Sequence, residues 1–251
     1  MNDTPLPVLP ASAALPYAAD PRPDEQPVLL EERDAAGRLL SRTPLLRGEA
    51  HGRVTHFGAN ETPLTMVDYR HGQRHGELRC YDERGQLIQN AMYRSDVRHG
   101  TTTLLAAGRV ASTQQFLEGL LHGETVCYAA NGLVAARLPY RLGLLQGEAT
   151  YFQDGQVVRR ATYQAGMLDG VSQEMDAAGR MVRSAHYRAN VLHGALRRYW
   201  PDGEVMEETI YRHGIAAGTP RKFDLHDAGI AAPAPAPGGR FVRGIEKLVR
   251  G

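Results

Sequence analysis

The stretch YRHGQRHG, residues 69–76, decides the fold because variants of it recur along most of the chain. It holds two glycines four residues apart behind a tyrosine, and YRHGIAAG, residues 211–218, has the same arrangement near the other end. Alignment on the second glycine gives eight copies at intervals of 23 or 24 residues, which indicates an internal repeat. These anchor glycines are Gly52, Gly76, Gly100, Gly123, Gly147, Gly170, Gly194 and Gly218.

Two further positions of the repeat are restricted in residue type. Seven residues before the anchor glycines stand Leu45, Tyr69, Tyr93, Phe116, Tyr140, Tyr163, Tyr187 and Tyr211. Four residues before them stand Gly48, Gly72, Asp96, Gly119, Gly143, Gly166, Asn190 and Gly214. Glycine, asparagine and aspartate are the residues that best tolerate a positive φ, so the second position predicts a tight turn in every repeat.

A second set of turns follows most anchor glycines, at Gly85, Gly108, Gly132, Gly155, Gly179 and Gly203. Runs of about eight residues rich in β-formers, such as QVVRRATY, lie between the turns. Turns this short join only antiparallel strands, so each repeat is predicted to be one β-hairpin. We expect an all-β fold: an elongated, twisted antiparallel meander of about eight hairpins, with roughly 16 or 17 strands between residues 28 and 225.

The anchor glycines then fall inside strands, where glycine normally weakens a sheet. We expect aromatic rings from neighbouring strands to cover the backbone at these glycines.

The two ends of the chain differ in composition from the repeats. Residues 1–27 contain seven prolines and predict a disordered leader before a repeat domain at residues 28–229. An Ala, Pro and Gly linker at residues 230–239 precedes a candidate basic amphipathic helix at residues 240–251. Its residues predicted to contact the sheet, a partner protein or anionic lipid are Arg240, Phe241, Arg243, Ile245, Lys247 and Leu248.

Charge and apolar patterning limit the classes of partner. The formal net charge of +1 offers no broad field for nucleic acid, so no nucleic-acid partner is expected. No long apolar run and no basic start with an apolar stretch occur, which favours a cytoplasmic location. Cys80 and Cys127 stand at one repeat position two repeats apart, about 19 Å, too far for a disulfide.

Histidine precedes five anchor glycines, at His51, His75, His99, His122 and His193. Equivalent positions of adjacent hairpins lie about 9.6 Å apart, too far to share one metal ion, so we expect no metal or cofactor. The HGE triplets at residues 75–77 and 122–124 recur at repeat spacing, and none of the common catalytic motifs is present. We therefore expect no catalytic residues and no enzymatic activity.

Arginine and leucine columns near one rim are the candidate partner site. The arginines are Arg70, Arg94, Arg141, Arg188 and Arg212, which either protect a solvated edge or bind an acidic partner. Apolar pairs, 120–121, 144–145, 167–168 and 191–192, expose apolar groups on both faces, because neighbouring strand residues point in opposite directions. The candidate binding residues of this ladder are Leu121, Leu145, Leu168 and Leu192, with pure packing as the alternative.

The pattern Tyr-x-x-Gly-x-x-x-Gly-x-x-x-x-Tyr with a following turn glycine resembles MORN repeats, and specifically the bacterial variant in antitoxin and immunity-like proteins. The resemblance covers Leu45 to Phe223 and departs at Leu45, Asp96, Asn190 and the last copy, where Pro220 suggests a capping strand. It implies a protein-binding surface, and the expected partner is a cognate toxin or secreted effector that the chain neutralises by covering it. The alternatives are a membrane-associated scaffold that binds anionic lipid, or an adaptor segment of a larger secreted effector.

Overall fold

The computed structural model describes residues 25–224, which form one open antiparallel sheet. These residues contain no α-helix, and therefore no helix that could span a membrane. The strands are β1 (Val28–Arg33), β2 (Leu39–Leu46), β3 (Glu49–Ala50), β4 (Gly52–Phe57), β5 (Pro63–Arg70), β6 (Gln73–Tyr81), β7 (Leu87–Arg94), β8 (Val97–Ala106), β9 (Arg109–Leu117), β10 (Leu120–Leu121), β11 (Gly123–Tyr128), β12 (Val134–Arg141), β13 (Leu144–Leu145), β14 (Gly147–Gln153), β15 (Gln156–Gln164), β16 (Met167–Met175), β17 (Met181–Arg188), β18 (Val191–Tyr199), β19 (Val205–Arg212), β20 (Ile215–Ala216) and β21 (Arg221–Lys222).

The strands follow one another across the sheet in chain order. Each position in the order of strands across the sheet is called a row. Four rows are interrupted near an anchor glycine and hold two short strands each: β3 with β4, β10 with β11, β13 with β14, and β20 with β21. The 21 strands therefore form 17 rows between residues 28 and 222, which confirms the predicted meander of hairpins.

The turn that precedes each anchor glycine is a two-residue turn with positive φ at both central residues, as in Ala165 (49°) and Gly166 (79°). All eight positions at which the sequence predicts positive φ have it, at 67–85°. The N–H of the second turn residue donates to a carbonyl of the preceding repeat, for example from Asn190 to Leu168 at 2.9 Å. The Asn190 side chain also accepts a bond from the Leu168 N–H at 2.7 Å, which explains why asparagine can replace glycine there.

Seven of the eight turns at the opposite edge use glycine with positive φ as well, at 72–95°, and the turn between β4 and β5 uses Glu61 at 54°. Several of them are braced by an acidic side chain at the start of the turn. Asp176 accepts hydrogen bonds from the Ala178 and Arg180 N–H groups, each at 2.9 Å, before the positive φ of Gly179. Such side chains set the chain reversal locally, because they bond to the backbone of their own turn.

The anchor glycines, from Gly52 to Gly194, have φ between 87° and 119° and lie at irregularities of strand pairing. A Cβ on Gly170 would stand 3.0 Å from the Cβ of Thr162, eight residues earlier on the neighbouring strand. The atoms nearest to the position of a Cβ at the anchor glycines do not belong to tyrosine or phenylalanine, and aromatic cover of the glycine backbone stays a prediction. The aromatic residue of the next strand instead pairs directly opposite the glycine, as Tyr187 does with Gly170.

The two faces of the sheet differ in what they carry. The tyrosine face bears the aromatic column and, beside it, a central row of mostly small residues, two residues after each anchor glycine and two before each aromatic residue. Ala91, Ala149 and Ala161 of this row are fully buried, and Leu138 is 3% exposed. The core is densest around Tyr140, Tyr151 and Tyr163, where the hydroxyls of Tyr151 and Tyr163 lie 3.3 Å apart.

The opposite face, called the ionic face, carries cross-strand pairs of opposite charge. Arg53 bonds to Asp68 at 2.8 Å, and Arg197 bonds to Glu208 at 2.6 Å. The two residues of each pair stand directly opposite each other, where opposite charges stabilise a sheet modestly.

The predicted segments at both ends fall largely beyond the described residues. Residues 1–24 of the leader, the linker at residues 230–239 and the candidate helix at residues 240–251 lie outside them. Within the predicted repeat domain the sheet runs from Val28 to Lys222.

Candidate partner-binding surface

The rim that carries the two-residue turns brings two predicted features together. The last residue of each strand before the turn pairs directly with the first residue after it, so both side chains point to the ionic face. The pairs are Leu46 with Glu49, Arg70 with Gln73, Arg94 with Val97, Leu117 with Leu120, Arg141 with Leu144, Gln164 with Met167, Arg188 with Val191 and Arg212 with Ile215.

The residues after the turn form an exposed apolar column. Leu144 is 50% exposed and Ile215 is 74% exposed, and the other members are also open to solvent. The column consists of Val97, Leu120, Leu144, Met167, Val191 and Ile215. Successive members are two strands apart, about 9.6 Å, so the column extends over about 48 Å. An apolar strip of this length on a rim is typical of an interaction surface.

The residues before the turn form the arginine column, and four of its members lack a carboxylate partner. Among residues 25–224, no acidic side chain lies within ion-pair distance of Arg94, Arg141, Arg188 or Arg212. Elsewhere on the ionic face arginines are paired, as Arg137 is with Glu124 at 2.7 Å. The arginine column thus presents cationic groups to solvent beside the apolar column, and together they are called the rim surface.

The predicted leucines occupy a different place from the predicted arginines. Leu121, Leu145, Leu168 and Leu192 pair opposite the aromatic column and so lie on the tyrosine face. Leu168 is 9% exposed and belongs to the core, and Leu121 and Leu145 pack against it. The structure therefore places these leucines on the opposite face from the five arginines, so the two predicted sets do not form one surface.

In each apolar pair, the residue exposed to solvent is not the one that the sequence predicted to bind a partner. The pairs themselves are visible in the sequence, but which member faces solvent depends on the cross-strand register that the two-residue turn sets. The cross-strand pairing of Arg141 with Leu144 shows which member of the apolar pair faces solvent. Two residues flanking a two-residue turn always share a face, so the arginine column identifies its apolar neighbours.

A shallow depression of about 340 Å³ opens on the rim surface near its C-terminal end. It is lined by Arg188, Ala189, Val191, His193 and His213, and its wall is largely apolar. The rings of His193 and His213 meet edge to face with centroids 5.0 Å apart. An unpaired guanidinium beside an apolar wall suits a ligand group that combines negative charge with aliphatic carbon.

The histidine column contacts the turn of the following repeat. His51 meets the ring of His71 at 5.1 Å, and His99 Nδ1 lies 3.7 Å from a Glu118 carboxylate oxygen. Where histidine is absent, Gln146 accepts a hydrogen bond from the turn N–H of Ala165 at 3.0 Å. These side chains tie successive turns together. Among the described residues, no three His, Cys, Asp or Glu side chains are grouped as metal ligands would be.

Hydrogen bonds near the rim favour the charged form of Asp96, an acidic residue in one of the rim turns. The Arg74 backbone N–H and then the Arg74 guanidinium bond to Asp96 and lower the pKa of that carboxyl. Arg74 also stacks on the Tyr93 ring, 4.6 Å from its centroid. Burial raises the pKa of the thiols of Cys80 and Cys127, so both favour the neutral form.

Comparison with known families identifies the repeat type at two places. Residues 74–94 and 192–213 match the model of the MORN repeat variant. Each segment covers most of two neighbouring strands and the turn at the opposite edge that joins them, β6 and β7 with Gly85 in the first and β18 and β19 with Gly203 in the second. No curated protein matches the chain.

Proposed function

We propose that this protein is a non-catalytic, cytoplasmic binding module that neutralises a cognate toxin or secreted effector by covering it. The observation that supports this proposal is the rim surface. It places six exposed apolar side chains beside four arginines that have no carboxylate partner in residues 25–224. The MORN-type repeats at two sites agree with a binding module, and they do not identify a particular partner.

The sheet suits inhibition by coverage for a physical reason. Its rows are joined by short turns that hydrogen-bond to the preceding repeat, as Gly143 does to Leu121 at 2.8 Å. The surface is therefore ordered before binding, and association loses little conformational entropy. A toxin or effector with an acidic, partly apolar surface would gain charge-assisted hydrogen bonds and apolar burial along the rim.

The proposal is tested by co-expressing the chain with the product of the reading frame that neighbours its gene, and measuring growth and complex formation. We expect the wild-type chain to restore growth and to co-purify with the toxin. Arg141→Glu with Arg188→Glu should abolish both effects, because these substitutions reverse charge on the rim surface. Arg84→Glu is the matched control, since Arg84 is an exposed arginine at the opposite edge.

Failure of the chain to protect or to bind any such product would contradict the proposed function. A membrane scaffold is the rival outcome, because an apolar column beside arginines also fits anionic lipid. Flotation with anionic vesicles that depends on Arg141 and Arg188 would favour the scaffold.

A further inference from the structure

We infer that His51 and His71 bind one metal ion of the kind that prefers imidazole ligands, such as Zn²⁺, and that this ion links the first two rim turns. A weaker site of the same kind is formed by His193 and His213 in the last two repeats. In each pair, one histidine precedes an anchor glycine and the other is the first central residue of the next rim turn.

The rim turns bring together histidines that are 20 residues apart in the chain. Equivalent histidines of adjacent repeats are about 9.6 Å apart and cannot share an ion. The second residue of each turn, however, donates its N–H to the preceding repeat. Gly72 bonds to the carbonyl of Ala50 at 2.9 Å, and Gly214 bonds to that of Leu192 at 2.9 Å. Each of these carbonyls belongs to the residue directly before a histidine, so the histidine of the turn is placed against it.

Both pairs have the ring separation that a shared ion requires. The ring centroids are 5.1 Å apart in the first pair and 5.0 Å apart in the second, with interplanar angles of 74° and 73°. A Zn–N bond is about 2.0–2.1 Å long, so the centroid of a bound imidazole lies about 3.2 Å from the ion. Two imidazoles at the tetrahedral angle then have centroids about 5.2 Å apart. The backbone therefore already holds each pair at the distance for chelation.

One nitrogen on each ring of the first pair lacks a hydrogen-bond partner. His51 Nδ1 and His71 Nε2 are both enclosed, and no group of residues 25–224 bonds to either atom. Enclosed polar atoms without a partner are uncommon in folded proteins, so they point to a ligand. A metal ion held between the rings would satisfy both atoms, because each neutral imidazole offers one lone pair.

Charge distinguishes the two pairs. The second pair lines the depression to which Arg188 and Val191 also contribute. Leu46 and Glu49 occupy the corresponding positions beside the first pair. Glu49 stands next to the turn of His71, because its Cβ lies 3.9 Å from the position of a Cβ on Gly72. A carboxylate attracts a metal cation and a guanidinium repels it, so the first pair is the tighter site.

The arginines nearest the first pair do not cancel this difference. Arg47, in the turn of the first repeat, is bonded to Glu25 at 2.8 Å. Arg70 precedes the histidine of the second turn, but Arg212 precedes that of the last turn in the same way. This charge is therefore common to the two pairs.

The test is calorimetric titration of the full chain with Zn²⁺, with Mg²⁺ as the control ion. Two protein ligands bind more weakly than the four of a structural zinc site, so we expect a dissociation constant of about 1–100 µM at the first pair. The second pair should bind at least about threefold more weakly because of its arginine. Mg²⁺ prefers oxygen ligands and should not compete.

The variant that removes the first site is His51→Gln with His71→Ala. Gln146 and Ala165 occupy the same repeat positions elsewhere in the sheet, so the fold accepts both replacements. The double variant should lose the tighter ion. His71→Ala alone should weaken it about a hundredfold, because the two imidazoles act together as a chelate.

The matched control is His193→Gln with His213→Ala, which should leave the tighter ion in place. Glu49→Val copies the residue at position 191 and should weaken the first site about threefold. As a second measurement, Zn²⁺ at a hundredfold excess over its dissociation constant should raise the melting temperature of the wild-type chain by about 5–10 °C. The same addition should leave the melting temperature of His51→Gln with His71→Ala unchanged, or nearly so.

Equal Zn²⁺ binding by the wild type and by His51→Gln with His71→Ala would overturn the inference, as would no binding up to about 1 mM Zn²⁺. Loss of the tighter ion from His193→Gln with His213→Ala would overturn the ranking of the two sites. The site is independent of the proposed function. A chain that neutralises no toxin would give the same zinc titration, and a chain that binds no zinc could still neutralise a toxin.

Discussion

The anchor glycines should be the positions least tolerant of alanine, and Gly170 provides the sharpest case. Gly170 has a φ of 119°, and a Cβ there would lie 3.0 Å from Thr162 Cβ and 3.2 Å from Thr162 Cγ2. Carbon atoms prefer separations of about 3.5–4.0 Å, and the Cβ of Thr162 moves only with its strand. Gly170→Ala therefore incurs both backbone strain and a steric clash within the sheet.

Gly203 is a matched control, because it has a φ of 95° and no atom within 4 Å of the position of a Cβ. Gly203→Ala should cost about 1–2 kcal/mol from the left-handed backbone alone. Gly170→Ala should cost a further 1–3 kcal/mol, roughly, from overpacking, or about 2–5 kcal/mol in all. Urea unfolding followed by circular dichroism gives both free energies of unfolding.

A double-mutant cycle isolates the clash. Combined with Thr162→Gly, the Gly170→Ala change should cost less than the sum of the single changes by about 0.5–3 kcal/mol. Equal destabilisation by Gly170→Ala and Gly203→Ala, together with a coupling energy near zero, would refute the steric explanation of the anchor glycine.

Two further predictions concern acid stability and the core. The pKa of Asp96 is lowered in the folded chain, so its contribution to stability is present above the ordinary value of 3.8 and lost as pH falls through the folded pKa. Asp96→Asn removes this titration, so the drop in melting temperature between pH 7 and pH 3 should be smaller than in the wild type; an equal drop would contradict the role of the Arg74 bonds. Because Leu138 is only 3% exposed, Leu138→Ala should lower the free energy of unfolding by about 2–5 kcal/mol. Leu144→Ala at the rim should change it by no more than about 0.5 kcal/mol. Similar losses for the two leucines, measured by urea unfolding, would mean that the face assignment is wrong.

The sequence predicts the hairpin architecture because turn chemistry acts locally. Gly166 and Asn190 stand at positions where only residues tolerant of positive φ occur, and the structure has φ of 79° and 67° there. The residue before each of them also has positive φ, as at Ala165, and sequence gives no sign of it. The two-residue turn imposes that conformation on whatever residue is present, so residue type at that position carries no information.

The parts that sequence could not predict depend on pairing across strands. The neighbour of Gly170 is Thr162, eight residues away, and this contact exists only because the strand register is irregular there. The pairing across the rim turn decides that Leu144, opposite Arg141, faces solvent while Leu145, opposite Tyr140, packs towards the core. A shift of one residue exchanges the two faces of a strand, so the exposed half of an apolar pair follows from register and not from composition.

Distances between spin labels on successive rim turns test the central claim, a linear meander of hairpins, most directly. Labels would be attached at Glu118→Cys with Ala189→Cys, and at Glu118→Cys with His213→Cys, after replacement of Cys80 and Cys127 by serine. These turns are three and four repeats apart, so the meander predicts about 29 Å and about 38 Å, rising by about 9.6 Å per repeat. Distances that fail to increase from the first pair to the second, or that both fall below about 25 Å, would contradict the account.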